Sequence, residues 1–417
     1  LRIETLAALL IEKFTVFPVQ RLKLRIACRT AEWSSFLETN LEKLWGDENF
    51  GAYELAPLRR VDVSIAAGAN ELDPETFLSE VAIKRAEPLA AKPVTLNLLL
   101  NLYQRHHALP STQAELYERG CLLLCEEENE GRKGKWKLTA RQRFRIASRI
   151  AAITMFGNKA RIWLGSDTGE QTDSDVMISE LAGAFEKNPD GTDFPTTENC
   201  VQEALYATGL FTSRGPNSLG WQHQTYAEFL AAWYLNYLNL DDRTPLKLLT
   251  CSDNSENLLV PQLYETAAWL ASMRSTIFRA LMESEPLILL RSDVLAADEA
   301  IRAELTSALL RTFEEEKEFD RWELRSYYSK LKHSGLAEQL RHYVNDKSNG
   351  VLVRHVAIDI VEECGVRELQ NQLADVALDQ KEDLSVRAHA ANAVSELGNI
   401  QTKARLKPLA QGEAGED

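Results

Sequence analysis

The residues able to do chemistry are few and form no complete set. Arg29 directly follows LKLRIAC at 22–28, where apolar and polar residues alternate. That alternation predicts a strand, and open α/β sheets hold ligands beyond the carboxyl ends of their strands. A guanidinium there can grip a phosphate with two parallel hydrogen bonds. It can equally pair with a neighbouring carboxylate. His223 precedes QTYAEFLAAWYL. Beside aromatics it is either a core histidine with both nitrogens satisfied or a group reaching toward an anionic ligand. No Ser-His-Asp arrangement accompanies them, and no G-x-S-x-G occurs. Gly134-Lys135 is followed by Trp136, which has no hydroxyl for magnesium, so there is no Walker A loop. His106-His107 and the Cys121/Cys125 pair lack the spacing of a structural zinc site. The two cysteines sit one helical turn apart and read as buried thiols. No catalytic residue and no metal ligand is assigned.

The surrounding composition narrows the function classes. Hydrophobic residues make up 45% and charged residues 26% of 417, which suits folded domains with several cores. The net charge is -15, opposite to the basic stripe that neutralises nucleic-acid phosphates. Arg141, Arg143, Arg145 and Arg149 come nearest to such a stripe, and they read as one solvated helix face. Six scattered cysteines fit neither a disulfide framework nor a zinc finger, which suggests a reduced, cytoplasmic setting. No apolar run reaches the ~18 residues of a membrane span. The opening Leu1-Arg2-Ile3-Glu4 reads as mid-helix, so a longer parent polypeptide is expected.

These residues need elements to hold them. Helical periodicity covers 3–14 and 33–45. Asp73-Pro74 predicts a capped helix start, Pro93 begins VTLNLLLNLY, Ser111 is expected to cap TQAELYERGCLLLCEEEN, and Thr139 to cap ARQRFRIASRIAAITMFG. The stretch 165–199 is rich in Gly, Asp, Thr and Pro and contains an insertion-like loop around Asn188-Pro189-Asp190-Gly191. Two short strands are expected around the turn Arg214-Gly215-Pro216-Asn217, ahead of helix QTYAEFLAAWYLNYL. From 258 onward, helix follows helix. There Val353-Arg354 recurs as Val386-Arg387, Ala357 as Ala390, Val361 as Val394, Glu363 as Glu396, Gly365 as Gly398 and Leu373 as Leu406, all 33 residues apart. Gly335 marks a degenerate earlier unit. Such repeats stack because one helix pair cannot bury its apolar face alone.

The runs RIACRTAEW, YELAPLRRVDV, PLAAKPVTLNLLL, LPSTQAELYERGCLLLCEE and GWQHQTYAEFLAAWYL together resemble the rear half of a NACHT-type STAND NTPase, a signal-transduction relative of AAA+ ATPases. The last run carries the most specific part, H-x-[ST]-[FY]-x-E-[FY]-x-A-A. The resemblance spans 1–240. The resemblance implies a mainly α chain. Residues 1–55 would be the remnant of an α/β P-loop core, 56–136 a small helical domain, 137–240 a winged-helix-like domain, 241–310 a helical linker and 311–417 HEAT-like repeats. By the same resemblance, Arg29 is the sensor arginine facing the terminal phosphate. Pro93 packs on adenine, with Ala91 where the family often has glycine. His223 contacts the β-phosphate of ADP and locks a resting state. ATP or ADP with Mg2+ would bind in the parent, not tightly here, because Walker A and Walker B segments are expected before Leu1. A protein trigger on the repeats, homo-oligomerisation on activation, and a role in bacterial defence or signalling are further implications. A helical-repeat scaffold without nucleotide is the alternative. A nucleic-acid-binding winged helix is disfavoured by the acidic balance.

Overall fold

The computed structural model describes residues 3–16, 18–26, 35–46, 48–53, 55–126, 136–165, 171–215, 217–250, 258–294, 297–315 and 322–410. The chain is mainly helical with a small mixed sheet, and divides into two compact units, Leu1–Asn239 and Leu240–Asp417.

The first unit opens with helix Ile3–Phe14 against helix Ser35–Trp45. Leu37 and Leu41 form their buried seam, and Phe14 meets Trp45 edge-on at 5.6 Å. The strand expected over 22–28 does not form among its described residues. Leu22–Ile26 pair with no strand, and Trp45 Nε1–H donates to the Leu22 carbonyl at 3.1 Å. A single strand without a neighbour leaves its backbone groups unpaired, so nothing holds it in a ladder. Cys28 and Arg29 lie outside the described residues.

Helices Arg60–Ala69, Pro74–Ile83, Glu87–Ala90, Pro93–His106 and Gln113–Leu124 follow. Asp73 caps the second of these by accepting from Thr76 N–H at 2.9 Å, with Pro74 in the first turn. The expected cap at Ser111 moves by one residue. Thr112, extended at φ -107°, accepts from Glu115 N–H, satisfying an otherwise orphaned donor. Gly120 lets Leu89 pack close, since a Cβ there would lie 2.6 Å from Leu89 Cδ2 and would force that side chain to shift.

Helix Ala140–Phe156 starts in a full capping box between Thr139 and Gln142. It lies along helix Gln224–Tyr237, with Phe144 edge-on to Trp233 at 4.7 Å. The described part of 165–199, from 171 on, carries the expected loop at Asn188-Pro189-Asp190-Gly191 as a hairpin turn. It supplies strand β2 (Asp175–Met177) and the hairpin β3 (Phe185–Lys187) and β4 (Asp193–Pro195). With β1 (Arg161–Trp163), β5 (Phe211–Ser213) and β6 (Ser218–Trp221), β2 builds a four-stranded sheet in the order β2-β1-β6-β5. β1 runs parallel to β2 and antiparallel to β6. Trp221 Nε1–H donates to Thr154 Oγ1 at 3.2 Å, tying sheet to helix.

The four arginines are not one solvated face. Arg143 is buried, 3.9 Å from Glu203, and Arg149 donates to Glu186 at 3.3 Å. Arg145 lies over Tyr237, and only Arg141 is exposed. Positions two apart on a helix point to opposite sides.

In the second unit, helices succeed one another from Arg243–Leu249 to Lys407–Ala410. The 33-residue step falls on Val351–Glu363 and Leu384–Leu397. Arg354 donates to the Val344 carbonyl and Arg387 to the Ala377 carbonyl, both at 3.1 Å. Each arginine thus ties its helix to the end of the preceding one. The register weakens at both ends. The helix before Gly335 is a ten-residue 3-10 stretch, Trp322–Leu331. Leu406 is half-buried at the break after helix Ile400–Arg405, whereas its counterpart Leu373 is fully buried.

Candidate functional site

Pro93 and His223 both stand at helix starts. Pro93 opens helix Pro93–His106 with its ring exposed, its fixed φ suiting the first turn. The residue before it, Lys92, occupies the cap position and offers no side-chain cap. His223 caps helix Gln224–Tyr237, accepting from Thr225 N–H through Nδ1 at 3.2 Å.

That hydrogen bond fixes the tautomer. With Nδ1 accepting, the neutral ring carries its proton on Nε2. His223 is exposed at its rim. Desolvation of the rest of the ring, and then the positive charge of Lys92, hold its pKa below the usual histidine value. The ring is therefore a neutral Nε2–H donor at pH 7.

Lys92 and Tyr226 bring the two helix starts together. Lys92 Nζ donates to the Gly209 carbonyl and stands 5.9 Å from the Tyr226 ring centroid. The same ring lies 5.9 Å from the His223 ring. Tyr226 is fully buried and donates to the Pro88 carbonyl at 2.7 Å. Leu58 N–H donates to the Ala91 carbonyl at 2.8 Å, pinning the turn that leads into Pro93. Burial pushes the Lys92 ammonium down to about 8. Two positive helix ends, an ammonium and an imidazole N–H thus share one neighbourhood, which favours negative charge.

The structure brings Pro93 and His223 to this neighbourhood. Arg29 cannot be placed there, because it lies outside the described residues. Sequence reading missed Lys92 and Tyr226. A signal for Lys92 existed: it is the one charged residue in PLAAKPVTL. The other candidates carry no such grouping. His106 ends its helix and His107 takes a left-handed cap at φ 52°. Cys121 and Cys125 are fully buried, and burial drives both thiol pKa values far up. Among the described residues, no group of three or more His, Cys, Asp or Glu could hold a metal, and no helix is long and apolar enough to cross a membrane. No family model matches the chain, and no curated protein and no solved structure matches it.

Proposed function

We propose that the chain is the rear part of a NACHT-type STAND NTPase, working as an ATP/ADP-gated switch with a helical-repeat sensor. In this reading the P-loop remnant, helical domain, winged-helix-like domain, linker and HEAT-like repeats run in that order. The carrying observation is the grouping of Lys92, which immediately precedes Pro93, and His223 around Tyr226. Lys92 and His223 approach the same Tyr226 ring, which supports a shared nucleotide-facing surface. The 417 residues contain no Walker A motif, so the reading requires one elsewhere on the parent polypeptide, together with its Mg2+ ligands.

His223 Nε2–H would donate to the β-phosphate of ADP, and Pro93 would pack on adenine. Arg29 would face the terminal phosphate. A trigger on the repeats would shift the balance toward an open, oligomerising ATP state, because ligand and nucleotide bias one equilibrium. Release of ADP from the parent protein, wild type against His223→Ala, tests this. Faster release supports the latch, and equal release removes it.

The scaffold reading without nucleotide draws on one observation, the repeated arginine tie of Arg354 and Arg387. The same ADP measurement separates it, since a scaffold binds none.

A further inference from the structure

Arg145 is held in an unusual setting. Its Cζ lies 3.1 Å from the Tyr237 ring centroid and 4.8 Å from that of Trp233. Trp233 and Tyr237 are themselves stacked, 5.6 Å apart at 7°. The rings fix the plane of the guanidinium by cation–π attraction. The ring faces offer no lone pair, and Arg145 Nη1 is buried without a hydrogen-bond partner among the described residues. A buried charged donor left unpaired is costly. Burial accordingly lowers the Arg145 pKa, despite Tyr237, Glu186, Tyr234 and Glu118 nearby.

Beside this group lies a solvent-open cavity of ≈ 40 Å³. Arg141, Gln142, Arg145, Lys187, Asn188 and Glu118 are among its lining residues. Three cations thus face one carboxylate, in a chain whose net charge is -15. Gln142 Nε2 donates to Asn188 Oδ1 at 3.0 Å and holds the β3–β4 turn as a wall. Lys187 is shared with Asp193 at 3.0 Å. On this measure a water needs about 10–15 Å³, so the cavity admits a few waters or one compact oxyanion.

We propose that this cavity binds the phosphate group of a small phosphorylated ligand, with Arg145 as its anchor. A phosphate monoester carries nearly two negative charges and three acceptor oxygens. It matches several cations better than a single carboxylate does. A guanidinium matches such oxygens with a fork of N–H donors, and Arg145 lines the cavity with its ring contacts holding it in place. The rest of the ligand would extend through the open mouth. This site is separate from the His223 neighbourhood. Tyr237 lies 14 residues beyond His223 along one helix, about 20 Å at the usual rise.

The test is calorimetric titration of the 417-residue chain with inorganic pyrophosphate at low ionic strength, with citrate as the carboxylate comparison. Wild type should bind pyrophosphate saturably at one site, and more tightly than citrate. Arg145→Met should weaken it by about tenfold or more, as expected for one charge-assisted hydrogen bond. Arg141→Gln and Lys187→Gln alter exposed side chains and should each weaken it by a smaller factor while leaving the thermal midpoint unchanged. Absence of saturable binding, citrate binding as tight as pyrophosphate, or wild-type affinity in all three variants would each overturn the assignment.

Discussion

Lys92 shows how a single side chain can report on its surroundings. Its ammonium is drawn into the unit by the Gly209 carbonyl and loses water, so its pKa falls to about 8. In the unfolded chain a lysine keeps its proton to about 10.4. Between these values the unfolded state binds more protons, so stability must rise with pH. Below pH 8 both states are protonated and Lys92 contributes no slope. Urea unfolding of wild type and Lys92→Met across pH 7 to 10.5 should show wild type gaining on the variant only above about pH 8. Parallel curves would mean that the ammonium is not desolvated. That Pro93 and His223 stand at helix starts was legible in the sequence, because a proline at a helix start and a histidine before an aromatic helix are local signals. Lys92 left only its lone charge in an apolar run as a signal, because its partner Gly209 lies 117 residues away. Arg145 was misjudged for the same reason. Trp233 and Tyr237, which cover it, belong to a distant helix.

Among elements, the repeat helices were the most legible. Their 33-residue identity reflects one job done twice, an arginine bonded to a carbonyl ten residues earlier. Arg354 adds a bidentate pair with Glu382 at 2.7 and 2.8 Å, with both side chains at 5% exposure or less. These hydrogen bonds hold the Glu382 carboxyl below its usual range. Arg354→Met strands that carboxylate and should cost about 3–5 kcal/mol in chemical denaturation. The double variant Arg354→Met with Glu382→Gln should recover part of the loss. A single-variant loss under about 1 kcal/mol would show that the pair is dispensable. The glycines of the pattern hide a difference. Gly365 ends its helix at φ 65°, where a side chain is strained, whereas Gly398 sits at φ -67°. The β5–β6 hairpin was legible from the turn residues between its strands, as expected. The other short strands were the least legible: β1 to β4 have three residues each, too few for alternation to register, and they exist through pairing with neighbouring strands. Conversely, 22–28 has the alternation, yet Leu22–Ile26 find no partner strand.

At the scale of the whole molecule, the two units hold different kinds of feature. Leu1–Asn239 contains the paired helix starts at Pro93 and His223, and Leu240–Asp417 contains the repeats. The proposed switch assigns nucleotide to the first and the trigger to the second. Its most exposed element is the neutral Nε2–H of His223. A charge-assisted hydrogen bond from it to ADP would contribute ~1.5–3 kcal/mol. Losing it would raise ADP release by about tenfold to a hundredfold, at a factor of ten per ~1.4 kcal/mol. The deciding measurement is the ADP release rate from the purified parent protein, wild type against His223→Ala, at matched folded fraction. The account predicts release faster by at least about tenfold in the variant. Equal release rates, with only a lowered unfolding midpoint, would contradict it and leave His223 as a helix cap.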